Sequence, residues 1–152
     1  MEEMYNNAKK LEDVVYDDPE LNEEYEFPGF YVGEKLELYN QYQVGDIVFV
    51  PKYKYSDNKE GHNHLFVIVD EDNRAVSMDK FCMLISSNLE KLKYRSNILL
   101  KKDNINNLMK DSIVKTDEIY RIKEFDIDKK IGKIDIDIVN IYIKMYKGEL
   151  NE

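Results

Sequence analysis

Apolar positions are grouped differently on the two sides of Gln43. Upstream, Met4, Ala8, Leu11, Val14 and Val15 recur at helical spacing, which predicts a short helix over 4–15, ended by Asp17-Asp18-Pro19. From Glu20 to Gly33 acids alternate with Tyr25, Phe27, Phe30 and Tyr31, broken by Pro28 and two glycines. That stretch holds neither helical nor strand periodicity and reads as an extended segment that docks through its aromatics. Leu36, Leu38, Tyr39 and Tyr42 offer one or two further helical turns.

Downstream the apolar residues come in short unbroken runs. Positions 47–50, closed by Pro51, and 65–69, closed by Asp70-Glu71-Asp72-Asn73, predict buried strands. Further strands are expected at 75–78, 81–85, 97–100, 112–115 and 118–123, with 52–63 a polar hairpin loop and 105–110 a connection. Residues 86–92 predict a short helix capped by Ser86. After Asp135 as a second cap, Ile138, Ile141, Tyr142 and Met145 form the apolar stripe of a last helix, widened by Ile134, Ile136, Val139 and Ile143. Many short strands and one terminal helix predict a mainly β (α+β) domain: a curled antiparallel sheet or small barrel with the helix packed on it.

Composition bounds the reading. A chain of 152 residues, 43% hydrophobic and 35% charged, fits one domain of 43–152 behind an acidic, aromatic extension of 1–42. No apolar run approaches the roughly 18 residues of a membrane span, and no basic-then-apolar leader opens the chain, so a cytoplasmic protein off the membrane is expected. Cys82 is the sole cysteine, which excludes an internal disulfide and a cysteine-rich zinc site. Residues 1–42 hold twelve acids against three lysines and so carry the whole net charge of -9. The remainder is neutral and can present a basic face: from Lys91 to Lys102 there are five cations and no acid. Few arginines beside many Ile, Asn and Lys suggest an AT-rich bacterial or phage genome.

The order of features from residue 43 to 147 resembles the MazF/PemK toxin family. The resemblance rests on Val44-Gly45-Asp46-Ile47-Val48, on Asn63-His64 opening the strand Leu65-Phe66-Val67-Ile68-Val69, and on Leu84-Ile85-Ser86-Ser87. It continues through Asp111-Ser112-Ile113-Val114-Lys115-Thr116-Asp117-Glu118-Ile119-Tyr120-Arg121-Ile122 and then Lys130-Ile131-Gly132-Lys133-Ile134. It implies an SH3-like curled antiparallel barrel that forms a homodimer. It also implies an antitoxin partner, and metal-independent endoribonuclease activity on single-stranded RNA, with the 2′-hydroxyl of the RNA as nucleophile. The family's catalytic Arg falls at Asn63, and His64 replaces the following Pro.

Two function classes follow from that departure. In an active enzyme, His62 and His64 sit at alternate strand positions on one face and serve as base and acid, since imidazole exchanges protons near neutral pH. Ser86 is the third catalytic candidate, at the position of the family's Thr or Ser. Lys54, Lys59, Ser87, Lys91, Lys93 and Arg95 are candidate RNA contacts, with Tyr94 able to stack a base. In the alternative, the chain is catalytically silent and acts as an RNA- or protein-binding regulator or inhibitor. His62, His64 and Cys82 supply zinc-ligand types, but no fourth ligand is indicated, and neither metal nor cofactor is expected. Two roles stand for residues 1–42: a tethered acidic inhibitor lying along the basic face, or a permanent structural extension.

Overall fold

The computed structural model describes residues 7–14, 42–51, 63–71 and 79–149. The expectations for Glu20–Tyr39, for a strand at 75–78, and for His62, Lys54 and Lys59 fall outside these residues. Within them the strands are β1 (Lys9–Lys10), β2 (Asp46–Val50), β3 (His64–Glu71), β4 (Asp79–Ser86), β5 (Asn97–Leu100), β6 (Ser112–Lys115), β7 (Tyr120–Lys123) and β8 (Lys129–Lys133). One α-helix follows, α1 (Ile136–Lys147).

The strands form one curled sheet in the order β1-β7-β4-β3-β2-β8, with β6 also pairing to the end of β4 and β5 to β6. All pairings are antiparallel except β1 on β7. The sheet is not closed: among the described residues β1, β8 and β5 are its edges. The expected α+β architecture is the observed one, a strongly curled sheet with a terminal helix.

Strands β2, β3 and β4 read as continuous apolar runs because both of their faces are buried. One face, with Ile47, Leu65, Val67, Met83, Ile85 and Val114, packs under Val139 and Tyr142 of α1. The other, with Val48, Val50, Phe66, Ile68, Cys82 and Leu84, is completed by Tyr120, Ile122 and Ile127 and by Leu11 and Tyr42 from the upstream segment.

Four local expectations are corrected. In place of a helix over 4–15, Lys9–Lys10 adds to β7 and Leu11–Asp13 forms one 3-10 turn. Ladder bonds and burial of Leu11 outweigh a short helix, which is marginal alone. Residues 86–92 likewise give a 3-10 turn, Leu89–Lys93, and its cap is Asn88, not Ser86. On α1 the buried residues are Val139 and Tyr142, whereas Ile138 and Ile141 are 43% and 47% exposed. The apolar arc is wider than the face the sheet covers, so Tyr142 of the predicted stripe and Val139 beside it enter the core while Ile138 and Ile141 fall outside the packed face. Finally, β8 (KKIGK) is a strand that its charged pattern concealed: its lysines face outward at the sheet edge while Ile131 enters the core.

Between β2 and β8 the register shifts after Ile47, and Ile131 is left without a ladder partner. Asn107, at φ 56°, donates its Nδ2 to the Ile131 carbonyl at 2.9 Å. Its loop is tied by Asp103 Oδ1, which accepts from the Ile105 and Asn106 amides at 2.8 and 2.7 Å. Asn106 Oδ1 in turn accepts from the Asp103 and Leu108 amides, each at 3.0 Å.

Candidate active site

His64 opens β3 opposite Val50. Its ring lies 6.1 Å from that of Phe66, which in turn meets Tyr120 at 5.7 Å. Across the neighbouring pair Leu65 faces Ile85 and Phe66 faces Leu84, so that His64, the first residue of β3, and Ser86, the last of β4, lie at adjoining strand ends. Cross-strand partners share a face. The fold therefore brings these two candidates together at one end of β3 and β4, on the face carrying Phe66 and Leu84.

Both are buried: His64 is 5% exposed and Ser86 2%. Ser86 also has a local task. Its Oγ accepts the Asn88 amide at 3.1 Å, a bond that turns the chain out of β4. Asn88 Oδ1 accepts from the Glu90 amide at 3.2 Å and caps the 3-10 turn. Half-buried Ser87 lies between them.

The cationic residues follow at once. Lys91 is half-buried, Lys93 and Arg95 are exposed, and the Lys93 ammonium lies 5.4 Å from the centre of the Tyr94 ring. Tyr94 is itself 53% exposed, as a stacking platform requires. Buried Asn97 donates from Nδ2 to the Lys91 carbonyl at 2.9 Å and fixes the turn against β5. Sequence reading missed the structural roles of Asn88 and Asn97. An Asn two residues before a Glu at a strand-to-helix boundary was a readable cap; Asn97 gave no signal, since its partner is a carbonyl six residues away.

Asn63, which sequence reading sets at the position of the family Arg, is half-buried beside His64. Cys82 is not part of this site. It pairs with Ile68, four residues before Ser86 along β4, or about 13 Å at strand spacing, too far to share an ion with His64. Burial pushes its thiol far up despite the nearby Lys80, which keeps it protonated. Among the described residues no three His, Cys, Asp or Glu side chains converge as a metal site.

A separate concavity lies away from these residues. A cavity of about 600 Å³ opens at the opposite end of β2, between Asp46, Asn106, Lys130 and the start of α1. Lys130 closes on Asp46 there at 3.1 Å.

Residues 43–141 match the model of the PemK-like, MazF-like toxins of type II toxin–antitoxin systems. The chain belongs to this family. The match spans β2 through the first half of α1 and leaves out β1 and residues 1–42. A comparison with curated proteins gives no match. Toxins of this family partner with antitoxins and bind RNA. Among the described residues no helix is long and apolar enough to cross a membrane.

Proposed function

We propose that this PemK/MazF-family toxin is an endoribonuclease that cleaves single-stranded RNA without a metal ion, through an altered site. The observation that supports it is that the β3–β4 register sets His64 and Ser86 at adjoining strand ends, just ahead of a turn that carries Lys91 and Lys93. In this reading His64, with His62, takes the 2′-hydroxyl proton. The 2′-oxygen bonds to phosphorus, the P–O5′ bond breaks, and the second imidazole returns a proton to the leaving oxygen. Ser86 donates to a phosphate oxygen. Lys91, Lys93 and Arg95, with Ser87, Lys54 and Lys59, hold the backbone. The reading carries with it a cytoplasmic homodimer and an antitoxin partner.

Burial of both residues and the engagement of Ser86 Oγ by Asn88 favour a second reading, a catalytically silent member that binds RNA or a protein as a regulator. One experiment separates them. Full-length protein is incubated with single-stranded RNA in EDTA, and product ends are mapped for 2′,3′-cyclic phosphate and 5′-hydroxyl. Defined cuts that vanish in His64→Ala and Ser86→Ala, with circular dichroism unchanged, support the enzyme. RNA binding without cuts, weakened about tenfold or more by combined Lys93→Glu and Arg95→Glu, supports the silent binder.

A further inference from the structure

The edge of β7 belongs to the family domain, but what covers it does not. Residues 120–123 lie inside the matched region, while the strand laid along them is Lys9–Lys10. Three contacts hold it. The Lys9 amide donates to the Ile119 carbonyl at 2.8 Å. The Lys9 ammonium meets Glu118 Oε2 at 3.0 Å, while Tyr120 Oη donates to Glu118 Oε1 at 2.8 Å and fixes the carboxylate. Leu11, two residues on, is 4% exposed and completes the cluster of Phe66, Cys82, Tyr120 and Ile122. The Lys10 amide turns away to Asp13 Oδ2 at 2.9 Å, so the added strand ends there.

Every recognising group is therefore on the domain: a strand edge, an oriented carboxylate for a cation, and an apolar socket for an aliphatic side chain two positions later. This is the pattern of strand addition, in which main-chain bonds give affinity and sockets for alternate side chains give selectivity. We propose that the β7 edge is a strand-acceptor site for an extended polypeptide of the pattern cation–any–aliphatic. Residues 9–11 fill it in cis, and a segment of a partner protein with the same pattern takes it when they leave. The long connection from Val14 to Tyr42 keeps the cis occupant at an effective concentration of about millimolar, so a competitor is visible once that occupant is weakened. The site is independent of RNA cleavage, and so is its test.

The probe is a fluorescein-labelled peptide of residues 7–14, titrated by anisotropy against full-length protein and its Leu11→Asp variant. The peptide is expected to bind the variant at least tenfold more tightly than the wild type, whose site is filled. Adding Glu118→Gln to the variant weakens the peptide about threefold, the scale of a half-exposed ion pair. A variant that is folded by circular dichroism yet does not bind the peptide, or equal binding by both proteins, overturns the proposal. A wild-type dimer that the peptide dissolves also overturns it, because a second copy is then the occupant. Hydrogen exchange on the wild type covers the case of a variant that fails to fold. The Lys9 amide should exchange at least about a hundredfold faster than those of Phe66 and Val67, and exchange in step with them overturns the proposal.

Discussion

Gly132 sits where the fold leaves no room for a side chain. A Cβ there would stand 2.1 Å from the Asn106 carbonyl oxygen, and that oxygen belongs to a loop tied by Asp103 and Asn106 to its own amides. The obstacle is backbone, so no rotamer relieves it. Gly132→Ala is expected to cost about 3 kcal/mol, seen as a lower urea midpoint with an unchanged slope. Asp126 makes a different case. Burial raises its pKa, Lys123 partly opposes this, and Asp79 adds to it. With a folded pKa above the unfolded one, its charge costs stability at neutral pH, and stability is regained as pH falls through the raised value. Asp126→Asn is therefore expected to raise the melting temperature at pH 7, with the gain shrinking toward acid pH. Neither position was legible in the sequence: Gly132 sits in a plain KKIGK run, and Asp126 in a stretch that alternates acids with apolar residues.

Elements show how a docking partner overrides local preference. Desolvation alone would raise the pKa of Glu118, but hydrogen bonds from Tyr120 and Lys9, with the charges of Lys9 and Lys115, bring it below the ordinary 4.5. Its contribution to holding β1 is complete above that ordinary value and is lost as pH falls through the depressed one. The stability difference between wild type and Glu118→Gln should thus be constant near neutrality and shrink as pH falls below about 4.5. Helix α1 offers the complementary test. Val139→Ala removes two buried methyls under the sheet and should cost about 2 kcal/mol, while Ile138→Ala should stay within about 0.5 kcal/mol. Thermal unfolding of the two variants decides whether Val139 or Ile138 faces the sheet.

At the scale of the whole molecule, the described residues of the upstream segment contribute to the core. Leu11 and Tyr42 are buried in the second cluster and Val14 packs against it. Deleting residues 1–42 is expected to lower the stability of the remainder by about 4 kcal/mol or more, measured by denaturant unfolding. Activity lost on truncation therefore says nothing about inhibition, whereas activity gained despite that destabilisation would identify the segment as an inhibitor.

The sequence by itself determined the central strands and the chain order that mark the family. Short unbroken apolar runs bounded by turn residues favour strands buried on both faces at β2, β3 and β4, and the cap-and-stripe pattern after Asp135 favours a helix. Tertiary structure decided what depends on neighbours distant in the chain. The upstream Leu11 became a core residue because β7 offered it an edge and a socket. Val139 faces inward rather than Ile138 because the sheet covers only part of the helix's apolar arc. The placing of His64 and Ser86 at adjoining strand ends comes from the β3–β4 register, which no spacing along the chain encodes. Local patterns record what a residue prefers, and register and burial record which partner it meets.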